Sequence, residues 1–237
     1  MQKKDINIEM NIADTIMERP VGFKIGNRRF FLYRPTLGKT YLLVRLIKEL
    51  DANIDLLSVN PYIEALRLCK EKRNIVCRII AYHSLNSKAK VLNEGIVSAR
   101  QKLFDEKLDD EELAQILVVV STWDETESYI HYLGLDKERS MKEKIAKYKQ
   151  DGNEISFGGL SSYGTLIDFA CNRYGWSMDY VVWGISYANL KMLIADSITS
   201  IHLTKEEQQE LHISNDREVI SGDDPKNIEK IMSMKWD

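Results

Sequence analysis

After Pro35 the apolar residues of this chain recur three and four positions apart, and the pattern does not return to alternation. Residues spaced in that way share one face of a helix, whereas alternation serves a strand. Almost everything downstream is therefore expected to be helical. Upstream, Phe23, Ile25, Phe30 and Leu32 alternate about Gly26-Asn27, which supplies turn chemistry. That predicts a β-hairpin with strands over 21–25 and 28–33, preceded by a short helix over 10–18. Pro35 stops the second strand, and Thr36 is placed to cap a helix over 37–51.

Further boundaries follow from caps. Asn60-Pro61 puts a capping side chain before a proline at the first helical position, and the periodicity then runs on toward His83 as one helix. Helices are expected over 88–104 and 109–121, the latter opened by Asp109-Asp110-Glu111-Glu112. Thr122 is the expected cap of the next. Residues 136–150 are charged and nearly free of core positions, and 151–162 are rich in glycine and polar residues. The C-terminal part repeats one device: Gly175-Trp176-Ser177 and, nine residues on, Gly184-Ile185-Ser186. Glycine tolerates the left-handed geometry that ends a helix, and serine caps the next. This predicts helices over 163–174, 177–183 and 186–201, then a short one capped at Thr204. The fold class is mainly α, bundle-like, with one N-terminal β-hairpin and a compact C-terminal multi-helix unit. The expected organisation is an N-terminal module over 1–135, a charged helix and linker over 136–160, a helical module over 161–213 and a polar tail over 214–237.

Charge narrows the partners. Thirty-three basic residues stand against 36 acidic ones, so the chain lacks the basic excess that phosphate neutralisation favours. The basic residues are unevenly placed, however. Residues 22–48 hold seven of them and no acid; Lys24, Arg28, Arg29, Arg34 and Lys39 form a candidate basic patch for an acidic partner, against the simpler reading of a solvated hairpin face. The three cysteines lack metal-ligand or disulfide spacing and are expected to be buried thiols in a reducing compartment. No apolar leader or long apolar span occurs, so a cytoplasmic protein without a membrane partner is expected.

Tests for chemistry are mostly negative. Gly38-Lys39-Thr40 resembles the end of a phosphate loop, but Tyr33 stands where the motif needs its first glycine, and Pro35 and Leu37 fill the loop. The four histidines are scattered and expected at surface or half-buried helix positions; no metal or cofactor is indicated. No nucleophile motif occurs, and a non-enzymatic role is expected. Trp176, Tyr180, Trp183 and Tyr187 fall at 0, +4, +7 and +11, with the second glycine corner interrupting the stripe. They either knit three short helices into a core or leave an aromatic anchor for a partner. Met178 and Met192, with Met141, add adaptable apolar surface.

The order of these features resembles the tail assembly chaperones of tailed bacteriophages and prophages. The residues that carry the likeness are Arg34-Pro35-Thr36-Leu37-Gly38-Lys39 after the hairpin, then Tyr174-Gly175-Trp176-Ser177, Tyr180 to Trp183, Ile185-Ser186-Tyr187 and Asn189-Leu190, within 22–50 and 163–203. The resemblance implies a small helical protein of the host cytoplasm. Such a protein binds the tape measure protein, and sometimes tail tube subunits, before the tail polymerises. Trp176, Tyr180, Trp183, Tyr187, Met178 and Met192 are the candidate partner-binding residues. Two alternatives stand beside it: a structural or connector protein of a phage particle, and a helix-turn-helix-like DNA-binding regulator reading bases with the segment that holds Asn189 and Lys191.

Overall fold

A computed structural model describes residues 3–123, 125–149, 161–198 and 201–211. These residues are mainly helical, with one two-stranded antiparallel sheet. In chain order they form α1 (Lys3–Ile16), β1 (Val21–Ile25), β2 (Arg28–Leu32), α2 (Leu37–Leu50), α3 (Ile54–Val59), α4 (Pro61–Glu71), α5 (Arg73–His83), α6 (Lys88–Val91), α7 (Glu94–Lys107), α8 (Asp110–Ser121), α9 (Thr126–Tyr132), α10 (Leu135–Tyr148), α11 (Ser162–Tyr174), α12 (Met178–Trp183), α13 (Tyr187–Ala195) and α14 (Lys205–Glu210).

The chain divides into two compact units: Met1–Ser140 with Asn153–Ser197, and Met141–Gly152 with Ile198–Asp237. The division falls elsewhere than the sequence boundaries suggest. Residues 161–197 belong to the same unit as the hairpin, because long-range backbone contacts tie them there. Tyr187 donates its N–H to the Pro35 carbonyl at 2.8 Å, and Thr36 and Ser186 form a β-bridge.

In the larger unit α5 is central. Val76, Cys77, Ile79, Ile80 and Ala81 are all buried, so more than one face of the helix meets protein. It packs on α2, α4, α7 and α8. The hairpin joins this core through Phe23 and Phe30, cross-strand partners whose rings lie 5.6 Å apart. Both lie 5.7 Å from the buried Phe104 ring of α7. Burial of Phe104 and its neighbours removes apolar surface from water at about 25 cal/mol per Å².

The single helix expected toward His83 is broken at Lys72 (φ −128°) into α4 and α5. Beyond the break Arg73 clamps the α7–α8 corner, bonding Asp105 at 2.7 Å, Asp110 at 2.5 Å and the Leu108 carbonyl at 2.6 Å. The helix expected over 88–104 is likewise two, because Asn93 caps a new start at Glu94. Thr122 closes α8 instead of opening α9. The caps at Thr36, Asn60, Ser177, Ser186 and Thr204 are in place, and Asp109, expected as the first helical residue, caps α8 instead. Gly175 ends α11 in the left-handed region (φ +66°). Gly184 does not: its φ is −95°, and a Cβ there would lie 2.2 Å from the Tyr180 ring. It is a glycine for space, not for handedness. Helix α13 ends at Ala195, short of the expected 201.

Cys69 and Cys77 are buried and free, and burial pushes their thiols up to about 12 and about 11. Such thiols carry little thiolate at neutral pH and are inert. Cys171 is only half-buried. In the smaller unit Thr204 and Glu207 make a reciprocal capping box at the start of α14, and Tyr148 donates its hydroxyl to Glu210. The linker 150–160 and the tail 212–237 lie outside the described residues.

Candidate functional site

The segment that leaves β2 is where distant parts of the larger unit meet. Tyr33 donates its N–H to the His83 carbonyl at 2.8 Å, and His83 Nδ1 lies 3.3 Å from the Tyr33 carbonyl oxygen. Glu18, itself in the left-handed region (φ 51°), accepts from the Ser186 N–H at 2.7 Å and from Asn189 Nδ2 at 3.1 Å. A non-glycine residue persists in that conformation only when its surroundings hold it, and here those two bonds do.

Beneath this junction two ionisable groups are buried. Lys39 is 3% exposed, with its Nζ 5.8 Å from the Tyr33 ring centroid. Burial brings its pKa down to about 8 despite the attraction of Glu18. His83 is buried too, and desolvation lowers it to about 4, against a bond to Tyr33. It is therefore neutral at pH 7. Both findings correct the sequence reading, which put Lys39 in a surface patch and His83 near solvent. Of the candidate basic patch, Lys24, Arg28 and Arg29 are exposed on the hairpin, Arg34 is half-buried, and Lys39 is interior.

Two apolar recesses flank the junction. One is an open groove of about 310 Å³. Leu37, Gly38, Tyr41 and Leu42 of α2 form one wall; Tyr163 and Ile167 of α11, with Val182 and Trp183 of α12, form the other, and Leu92 lies at its edge. Tyr41 and Tyr163 meet edge to face at 6.1 Å. The Trp183 ring lies directly on Gly38, where an added Cβ would come within 2.8 Å of it. That close approach is what Gly38 provides; Gly38-Lys39-Thr40 sits in the first turn of α2. Tyr41 and Leu92 are 54% and 55% exposed, large values for apolar side chains in one recess.

The candidate partner-binding residues are distributed unevenly about this groove. Trp183 lines it. Met178, 63% exposed, stands one helical turn from Val182 on α12, and Tyr180 is exposed beside Trp176, ring centroids 5.1 Å apart. Trp176 and Tyr187 are half-buried in the small core formed with Ala170, Val181 and Leu190. Met192 does not reach the groove. It is buried against Ile12 and Tyr129, because α13 also packs on α1 and α9. Tyr41, Leu92, Tyr163 and Val182 were missed by the sequence reading, although the apolar positions of α2 are too many for one stripe.

The other recess is a more enclosed cavity of about 470 Å³ between α2, α4, α5 and α8. Leu43, Ala65, Leu68, Ile79 and Leu117 make its apolar walls. At one end Arg34 stacks on Trp123 at 5.5 Å and donates Nη1 to the Trp123 carbonyl at 2.8 Å. The Trp123 ring is 5.9 Å from that of His83. Arg34 Nε is buried and has no hydrogen-bond partner.

Among the described residues no group of three His, Cys, Asp or Glu side chains could hold a metal ion, and no helix is long and apolar enough to cross a membrane. Asn189, which a DNA reading would direct at a base, is held by Glu18 and by the Ile16 carbonyl. The chain matches no protein-family model, no curated protein and no solved structure.

Proposed function

We propose that this protein is a non-enzymatic chaperone of phage tail assembly that holds an apolar helical segment of a tape measure protein, or of a tail tube subunit, before the tail polymerises. One observation carries this reading. The two stretches on which the family resemblance rests, 22–50 and 163–203, are far apart in sequence, yet α2 from the first and α11–α12 from the second wall one open apolar groove. An amphipathic helix laid in such a groove buries its apolar face and leaves its polar face in water. The exposed Met178 beside it is a side chain that adapts to varied apolar partners.

The test is co-expression with the tape measure protein encoded by the same phage. Tyr41→Lys and Leu92→Lys place charges at exposed groove positions, so each variant is expected to keep the parent melting temperature and to lose at least about tenfold in capture. Arg28→Glu on the hairpin is the control and is expected to capture normally. Undiminished capture by both groove variants overturns the assignment. The finished particle is expected to lack this chain; stoichiometric retention there would favour a structural connector.

A further inference from the structure

The cavity between α2, α4, α5 and α8 shares no lining residue with the groove and is left unused by the proposed function. Its size, about 470 Å³, falls among small-molecule sites, which commonly run from about 300 to 1,000 Å³. Its walls are mostly aliphatic, and among the described residues no Asp or Glu lines it. Polarity is concentrated at one end, where Arg34, His83 and Trp123 converge. An apolar chamber with a few convergent polar groups is the usual form of a site for an amphipathic ligand.

We infer that this cavity binds a small amphipathic carboxylate, with its hydrocarbon part against Leu43, Leu68 and Leu117 and its carboxylate at Arg34. The second observation is the orphan donor. Arg34 Nη1 is engaged by the Trp123 carbonyl, while Nε is buried without a partner. Native proteins rarely leave such a donor unmet, and the guanidinium fork matches the bidentate geometry of a carboxylate.

Among the described residues, two acids of this region are engaged elsewhere. Glu18 accepts from Ser186 and Asn189, and Glu125 accepts from the Tyr129 hydroxyl at 2.9 Å. Lys39, close enough to His83 to disfavour its protonation, adds positive potential at the same end. A cationic headgroup would be repelled here, and a neutral acceptor would meet Arg34 Nε with a weaker bond than a carboxylate makes.

The test titrates the full chain with dodecanoate and with dodecanol, each below its aggregation limit, by calorimetry and thermal shift. Dodecanoate is expected to saturate at one per chain, to raise the melting temperature, and to bind at least tenfold tighter than dodecanol. Arg34→Met is expected to bring dodecanoate down to the level of the alcohol while leaving alcohol binding unchanged. Ala65→Phe fills the chamber and is expected to abolish both; should that variant not fold, Ala52→Phe fills it from a half-buried position. Absence of saturable binding, equal affinity for acid and alcohol in the parent, or binding indifferent to the filling substitutions overturns the inference.

Discussion

The surroundings of the middle of α5 and the junction about the first turn of α2 differ in the character of their side chains. About α5 the interior is Val76, Ile80, Phe104, Leu113 and their like, with the hairpin attached by three phenylalanine rings. About the first turn of α2 stand the buried Lys39, the half-buried, left-handed Glu18 and Gly38 crowded by Trp183, and His83 at the C-terminal end of α5 faces the same junction. The first region is stabilised by apolar volume and tolerates approximate shapes. The second depends on particular atoms being absent or particular bonds being made, and it is the one beside the open groove. Placing costly groups where a surface must stay open is the expected signature of a region shaped for binding at some expense in stability.

The comparison breaks most readily in the apolar half. Phe104→Ala removes a ring that touches both hairpin phenylalanines and is expected to cost about 3–5 kcal/mol in urea unfolding. A loss below about 1 kcal/mol would mean the hairpin docks elsewhere and that the α5 surroundings are not the stabilising half.

Titration sharpens the polar half. His83 has a folded pKa of about 4 against an ordinary 6.5, so the unfolded chain binds the proton first as pH falls. Stability is expected to drop by up to about 3 kcal/mol between pH 6.5 and 4, and His83→Asn to flatten that slope in pH-resolved thermal melts. Lys39 works in the other window. Its penalty is fully present below about pH 8 and is relieved between 8 and 10.5, as the folded form gives up its proton first. Lys39→Met is accordingly expected to stabilise the protein at pH 7 by up to about 3 kcal/mol, with an advantage that shrinks above pH 8. A Lys39→Met variant less stable than its parent at pH 7 would show the ammonium to be a structural ion instead of a burden.

The smallest effect is expected at Gly38. Alanine favours a helix by up to about 1 kcal/mol, but its Cβ would meet the Trp183 ring at 2.8 Å. Gly38→Ala should displace the indole, shift tryptophan emission to longer wavelength and leave a net loss on the order of 1 kcal/mol. Unchanged emission would remove the glycine from the account of the groove.

Local chemistry was legible in the sequence and long-range placement was not. Thr36, Asn60, Ser177 and Ser186 could be read as caps because a cap and its N–H lie within three residues. The break at Lys72 carries no such signal; Arg73 reaches residues more than thirty positions away, at the α7–α8 corner. Glu64 was also missed. It is a fully buried carboxylate whose pKa is lowered by its bonds from Arg67, with help from the Asn53 N–H at 2.7 Å. Gly184 was read correctly as a corner and wrongly as a left-handed one, since its reason is the Tyr180 ring. Aromatic spacing pointed to α12 but could not say that α2 would supply the facing wall, because nothing in the periodicity of one helix names its neighbour.

The bridge between Thr36 and Ser186 has a consequence for how the protein is made. Its two ends are separated by 150 positions, so a ribosome adding about 5–20 residues per second takes roughly 8–30 seconds to travel from one to the other. Once residue 121 has been added, with 65 positions still to come, the surroundings of α5 can condense while one wall of the groove does not yet exist. The nascent chain therefore gains its recognition surface last, after the body that carries it.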